Sequence, residues 1–366
     1  MLEELYLLRP ALLLLTVIAL VLASFALLMW VCLLCYRVVD NARRRKVDRI
    51  TDEWLSLLLP VLEGAARLET LPRLKGKLEM EAVLGLLRDL AERFRGQYRD
   101  GLQAVLQHIG AEEYGTRLLH RVSGTARMRG CALMSWLAPS TGIDAQLGKL
   151  LEDPLPGVRL EAAHALAARR TPAITLQLIM LALRGTGALE SERARDIVRL
   201  MAPGRSQALW WLLDSATDAR EKVLLLEGIA VTGDIAHAEF VATFLKDAAP
   251  QVRAEAVRTL ELLGDPVHIE AVIHLARDAD ARVRLAVARF VASMNGDVAA
   301  MAVLEMFSMD RDFEVRRVAV HALAAWGGVA WEHLGLLARQ DALLESIMRE
   351  IPHAPPSANP ASYAYA

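Results

Sequence analysis

From Ala11 to Tyr36 no side chain is charged, and from Thr51 onward apolar residues recur every three or four positions. The two patterns predict different elements. An uncharged run of that length, wound as a helix, extends about 39 Å, more than a bilayer's hydrocarbon core of about 30 Å. Residues 11–36 therefore read as a transmembrane helix. Pro10 suits its first turn, where the missing N–H is not needed, and Trp30 and Tyr36 suit a membrane–water interface. A cleavable signal peptide would start basic, carry a shorter apolar core and end on small residues. Here the start holds Glu3 and Glu4, and the run ends on Cys35, Tyr36 and Arg37.

The flanks set an orientation. Arg37, Arg43, Arg44, Arg45, Lys46 and Arg49 follow the run, and Arg9 alone precedes it. Cation-rich flanks stay on the cytoplasmic side, so residues 1–10 are expected outside and everything after the run in the cytoplasm. The basic segment, residues 37–50, also suits anionic lipid head groups, at about 1 kcal/mol per cation near the surface.

Beyond residue 50 the apolar period is helical. Trp54, Leu57, Leu58, Val61, Leu62 and Ala65 mark one helix, bent at Pro60, and Leu78, Val83, Leu86, Leu87, Leu90 and Phe94 mark another. Residues 51–94 are expected to form a helical hairpin that caps the first of a series of repeats. Stretches beginning at Asp153, Asp247, Asp278 and Asp310 each run from Asp through Val-Arg into an Ala-rich amphipathic helix. Their arginines are Arg159, Arg253, Arg284 and Arg316, and the last two intervals are 31 and 32 residues. Stepping back from Arg253 by the same period lands on Lys222, Ser191, Arg159 and Arg127, with a degraded unit near Arg95. The repeats are thus placed at 95–341.

A second set of helices is expected between these, over residues 144–152, 173–184, 204–214, 236–246, 266–277, 297–308 and 330–339. Pro172, Pro203 and Pro266 stand at or just before three of their starts, and Gly233 and Gly264 close the preceding helices. A helix pair of this size cannot bury its apolar face alone. About seven pairs are therefore expected to stack into an α-solenoid with one continuous core. The segment 342–366 ends in a tail from Pro352 rich in Pro, Ala and Ser, a composition that predicts disorder.

Composition agrees with an all-α fold. The chain is 54% hydrophobic but only 5% aromatic, so Ala, Leu and Val dominate. The net charge of −2 hides a division, because from Ile50 onward 35 Lys and Arg face 40 Asp and Glu. An acidic body argues against a nucleic-acid partner. Three cysteines are too few for a disulfide framework and point to a reducing compartment. Cys32 and Cys35 have redox-motif spacing but lie in the apolar run without a βαβ context, and read as small packing or lipid-facing residues.

The wording Asp-x4-Val-Arg-x2-Ala, read through these units, resembles HEAT repeats, in particular the short bacterial variety of the phycobilisome-lyase type. The resemblance implies a solenoid and, given the anchor, a bacterial inner-membrane setting. It also implies an Asp–Arg ladder between repeats. The ladder wording is present at Asp153/Arg159, Asp247/Arg253, Asp278/Arg284 and Asp310/Arg316. It fails at Arg127, Ser191 and Lys222, where Arg121, Gly185 and Ala216 stand six residues earlier, so an interrupted ladder is expected in the first half.

Five residues after each anchor the helix has turned about 240° from the preceding Val, close to opposite the apolar face. Through six units that position holds His164, Asp196, Glu227, Arg258, Arg289 and His321, all polar. In HEAT proteins this second helix of each pair lines the concave surface, which would make the stripe a partner-reading groove, acidic in its middle and basic toward the carboxyl end. A simply solvated face is the plainer reading. Trp210 and Trp211 are adjacent, about 100° apart on one helix, so they cannot both face one core.

No catalytic wording appears. There is no His-Glu-x-x-His, no phosphate-binding Gly loop and no Gly-x-Ser-x-Gly. His268 and His274 are six apart, on opposite helix faces. The His-Glu dyads of deoxyhypusine hydroxylases are missing, and the body lacks the basic surface of HEAT-like DNA glycosylases. Bilin lyases share the repeat wording most closely, so a bilin-lyase-like enzyme or chaperone is the alternative. The favoured reading is a non-enzymatic scaffold without cofactor. It would bind a protein of a membrane complex, with the bilayer raising its effective concentration there.

Overall fold

The computed structural model describes residues 2–74, 76–93, 99–170, 175–184, 187–339 and 341–351. Phe94, Arg95, Pro172, Gly185 and the tail from Pro352 lie outside the described residues. Every described element is helical. The chain divides into two compact units, residues 1–114 and 115–366.

The first unit is dominated by α1 (Leu2–Leu62), one unbroken helix of 61 residues, about 92 Å long. It runs through the uncharged stretch, the basic segment and the first half of the expected hairpin, so these are one element and not three. The reason is local. No Gly or Pro lies between Tyr36 and Trp54, and Arg, Lys and Ala favour helix. Pro60 sits in the last turn of the helix; its carbonyl accepts the N–H of Ala65 and of Ala66. The carboxyl end of α1 packs with α2 (Lys77–Arg93) and α3 (Arg99–His108). Trp54, Leu58, Val83, Leu87, Leu102 and Val105 are buried there. By contrast, every side chain from Leu20 to Val39 is exposed. This helix is long and apolar enough to cross a membrane, and among the described residues none covers its apolar part from Leu20 on.

After α4 (Ala111–Leu119) the second unit alternates two sets of helices. The odd-numbered set is α5 (Gly124–Met134), α7 (Pro156–Ala168), α9 (Glu192–Met201), α11 (Ala219–Thr232), α13 (Pro250–Leu263), α15 (Ala281–Ala292), α17 (Phe313–Trp326) and α19 (Ala342–Glu350). The even-numbered set is α6 (Thr141–Lys149), α8 (Leu176–Arg184), α10 (Ser206–Ser215), α12 (Ala238–Thr243), α14 (Ile269–Ile273), α16 (Val298–Phe307) and α18 (Gly328–Ala338). Consecutive odd helices pack on each other from α5 to α19, and the even helices cover them. The unit is thus a two-layer repeat solenoid.

Turn chemistry explains the boundaries. Asp218, Asp280, Asp297 and Asp312 accept the first free N–H groups of α11, α15, α16 and α17. Pro156 and Pro250 open α7 and α13, while Gly233 and Gly264 end α11 and α13 in the left-handed region. The Val before each anchor faces inward. Val158, Val252, Val283 and Val315 are fully buried, each stabilising by about 1.5–3 kcal/mol relative to exposure.

One unit departs from this pattern. Its neighbours begin three residues before their anchors, but α9 begins one residue after Ser191. Ser191 occupies the anchor position and serves as the N-cap, accepting from the Ala194 N–H at 3.2 Å. The helix therefore lacks its first turn.

Candidate functional site: ladder and charged face

The ladder couples five of the anchors to the next repeat. Arg127 Nε and Nη2 donate to Asp153 at 2.8 and 3.0 Å. Arg253 reaches Asp278 through two bonds of 2.9 Å, and Arg284 reaches Asp310 at 2.8 and 2.9 Å. Lys222 meets Asp247 at 2.7 Å and Arg316 meets Asp341 at 2.8 Å. The aspartate six residues before an anchor contributes its backbone carbonyl instead. Arg159, Arg253 and Arg284 each donate Nη1 to that carbonyl, and Arg316 donates Nε. Arg127 does the same to the carbonyl of Arg121 at 3.0 Å.

This geometry corrects the expectation for two units. Arg127 and Lys222 have no Asp six residues earlier, yet both form rungs, because the carboxylate comes from ahead. Each rung aspartate also accepts the N–H two residues on: Leu155 for Asp153, Ala249 for Asp247, Asp280 for Asp278 and Asp312 for Asp310. It thereby shapes the turn into its own helix while holding the previous repeat. For Asp310, burial works to raise the carboxyl, but the hydrogen bonds from Arg284 and the Asp312 N–H outweigh it, leaving the group below its ordinary value.

The ladder does break over two positions, where Gly185 and Ala216 replace carboxylates and Ser191 replaces a cation. Other pairs hold that region. Arg184 of α8 clasps Glu221 of α11 through bonds of 2.8–3.1 Å. Arg193 of α9 binds Glu161 of α7 at 3.0 Å, and Arg195 lies 3.2 Å from Glu227 of α11.

The six stripe residues do not form a uniform surface. Arg258, Arg289 and His321 are exposed, and His164 and Asp196 are half-buried. Glu227 is buried, facing Arg195 and Arg199 of the shortened α9, so it is not displayed. Burial, followed by the charge of Arg193, lowers the His164 pKa against the pull of Glu161 and Asp196. Glu255 of α13 lies in the same region. Burial, with the charge of Glu227 adding to it, outweighs Arg258 and pushes the Glu255 carboxyl up to about 7.

Of the basic segment, Arg37, Arg43, Arg44, Arg45, Lys46 and Arg49 are all exposed on α1. Arg43 lies 3.4 Å from Glu81, and Arg44 pairs with Asp40 at 2.7 Å. Trp211 is exposed, while Trp210 is half-buried between Trp211 and Phe240. Cys32 and Cys35 are exposed; Cys131 is buried, and burial raises its thiol to about 12. Among the described residues no group of three His, Cys, Asp or Glu side chains could hold a metal ion.

Sequence reasoning missed Arg169. Its side chain is fully buried, binds Asp144 at 2.7 Å and donates Nη1 to the carbonyls of Met134 and Leu137 at the end of α5. It satisfies helix-end carbonyls from another repeat. The signal was an arginine closing an Ala-rich helix, which in one sequence looks like any helix-terminal cation.

The fold defines the class: an α-solenoid of short helical repeats. Residues 238–324 match the family model described as HEAT repeats, and that stretch of the chain is built of HEAT repeats. Comparison with curated proteins finds no match. Among solved structures, two engineered proteins are each 20% identical. One alignment covers 58% of this chain and 94% of that one at a TM-score of 0.30. The other covers 76% and 85% at 0.36. The E. coli protein YibA is 13% identical, with 76% and 98% covered at 0.36. The superpositions are loose; the repeat assignment rests on the family match and the period.

Proposed function

We propose that this protein is a membrane-anchored scaffold whose odd-numbered helices bind another protein at the cytoplasmic face. The observation that carries the reading is the exposed row Arg258, Arg289 and His321 on successive odd helices. The row lies on a ladder-braced frame, while α1 offers an apolar surface that no described residue covers. A basic row at repeat spacing fits an acidic segment laid along the stack. The cations that follow the apolar stretch of α1 favour the solenoid on the cytoplasmic side.

The test is co-purification from solubilised membranes. Arg258 Nη1 lies 3.6 Å from Glu255, so charge reversal there would crowd carboxylates, and neutralisation is the cleaner change. Arg258→Gln with Arg289→Gln should weaken recovery of bound proteins at moderate salt while the melting profile stays unchanged. Unaltered recovery would reduce the row to a solvated face. Separately, a reporter active only outside the cytoplasm, fused at Ala366, should remain silent; activity would overturn the orientation.

A further inference from the structure

We infer that the solenoid has a soft joint between α9 and α11, about which the repeats before and after it swing as two bodies. Four observations converge there. The rung positions hold Ser191 and Ala216, which carry no charges to pair. The missing first turn of α9 removes the backbone that presents an anchor elsewhere.

The substitute ties are of a different kind. Glu221 and Glu227 of α11 are both buried, but their cations stand in solvent: Arg184 is 45% exposed and Arg195 32%. In the rungs on either side of α15, Arg253 is 17% and Arg284 6% exposed. Pairs with an exposed partner are weakened by water and screened by salt, whereas buried rungs are not. A pocket of about 280 Å³, lined by Arg184, Leu189, Ser215, Thr217, Asp218 and Glu221, opens at the same junction in place of packed side chains.

The contact that remains suits a pivot. At Gly228 of α11, an added Cβ would lie 2.6 Å from Val198 Cγ1 of α9 and 2.9 Å from Leu209 Cδ2 of α10. The Val198 and Leu209 side chains rest there on the bare backbone of α11. Ties whose cations are solvated, beside a close contact on backbone, are what a low-stability opening requires. A partner lying across both halves would then set the angle between them.

The test measures distances between spin labels in the full chain, purified in detergent. Cys32 and Cys35 are replaced by Ser, and Cys131 is left because it is buried. Labels go on exposed even-layer positions, with Glu239→Cys shared between two pairs. Glu152→Cys with Glu239→Cys spans the joint; Glu239→Cys with Glu332→Cys spans a similar length of intact ladder. The joint-spanning distribution should be the broader one. It should broaden further with Glu221→Gln, and also in 1 M NaCl without that change, while the other pair stays the same. Equal widths for the two pairs, or a spanning width that ignores both perturbations, would overturn the joint.

Discussion

Arg284→Ala isolates what a ladder rung contributes. Arg284 is 6% exposed and Asp310 10%. The arginine makes two bonds to the Asp310 carboxylate and two more to the carbonyls of Asp278 and Ala279. Alanine would leave Asp310 with only the Asp312 N–H among these partners, at 2.8 Å. Removing one member of a buried, hydrogen-bonded pair costs about 3–5 kcal/mol, because the remaining charge stays desolvated. Arg282 is the control. It lies two residues earlier on the same helix and pairs with Asp280 at the same 2.8 Å, but its side chain is 64% exposed. Arg282→Ala should cost about 0–1 kcal/mol. In a unit of this size 1 kcal/mol moves the melting temperature by about 2–4 °C. Circular-dichroism melts should therefore separate the two variants by roughly 4 °C or more. Repeat arrays need not unfold in one step, so the comparison uses the transition that Arg284→Ala shifts most. Asp310 titrates below its ordinary value, so the rung's contribution is present above the unfolded carboxylate pKa and is lost as pH falls through the folded one. The gap between variants should close in acid. Equal melts for Arg284→Ala and Arg282→Ala at neutral pH would remove the ladder from the account of stability.

Lys222→Ala should also destabilise, by about 2 kcal/mol, since the Lys222–Asp247 pair is less buried than the Arg284 rung; a melt unchanged from the parent would place Lys222 outside the ladder. Glu255 has a raised carboxyl, so its contribution is full below the unfolded carboxylate pKa and lost as pH rises through about 7. Denaturant titrations should show lower stability at pH 8 than at pH 5.5, and Glu255→Gln should shrink that difference; a difference of the same size in the variant would assign it to other groups. Gly228→Ala adds a methyl where the stiff Val198 side chain stands 2.6 Å away. Overpacking of about 1–3 kcal/mol outweighs a helix-propensity gain of about 1 kcal/mol, so the melt should fall; a stabilised variant would show that α9 can retreat. Arg169→Ala strips both a buried ion pair and the cap on α5, and about 3 kcal/mol or more should be lost; a change within error would mean that water replaces it.

The repeat period, the helical class and the apolar stretch of α1 were legible because each depends on local pattern: apolar spacing, Asp before the turn, Gly after the helix. These signals act within a few residues and need no partner. The sequence likewise showed an interrupted ladder in the first half, with Ser191, Gly185 and Ala216 lacking ladder groups. Which aspartate an arginine reaches was not legible, because the answer lies a repeat away and the nearer Asp offers a misleading six-residue spacing. Arg127 and Lys222 entered the ladder only once folding carried the following repeat to them. The continuity of α1 through residues 37–53 was missed for a simpler reason, since charge and function divide that stretch while its backbone propensity does not. Tertiary structure alone decided the charged face. A helical wheel treats the position after each anchor as equivalent in every unit, but the lost first turn of α9 lets Arg195 and Arg199 draw Glu227 inward. Arg258, Arg289 and His321 remain in water because their neighbours leave them there. Periodicity fixes which residues can share a face, and only the packing of adjacent repeats fixes which of them still meet solvent.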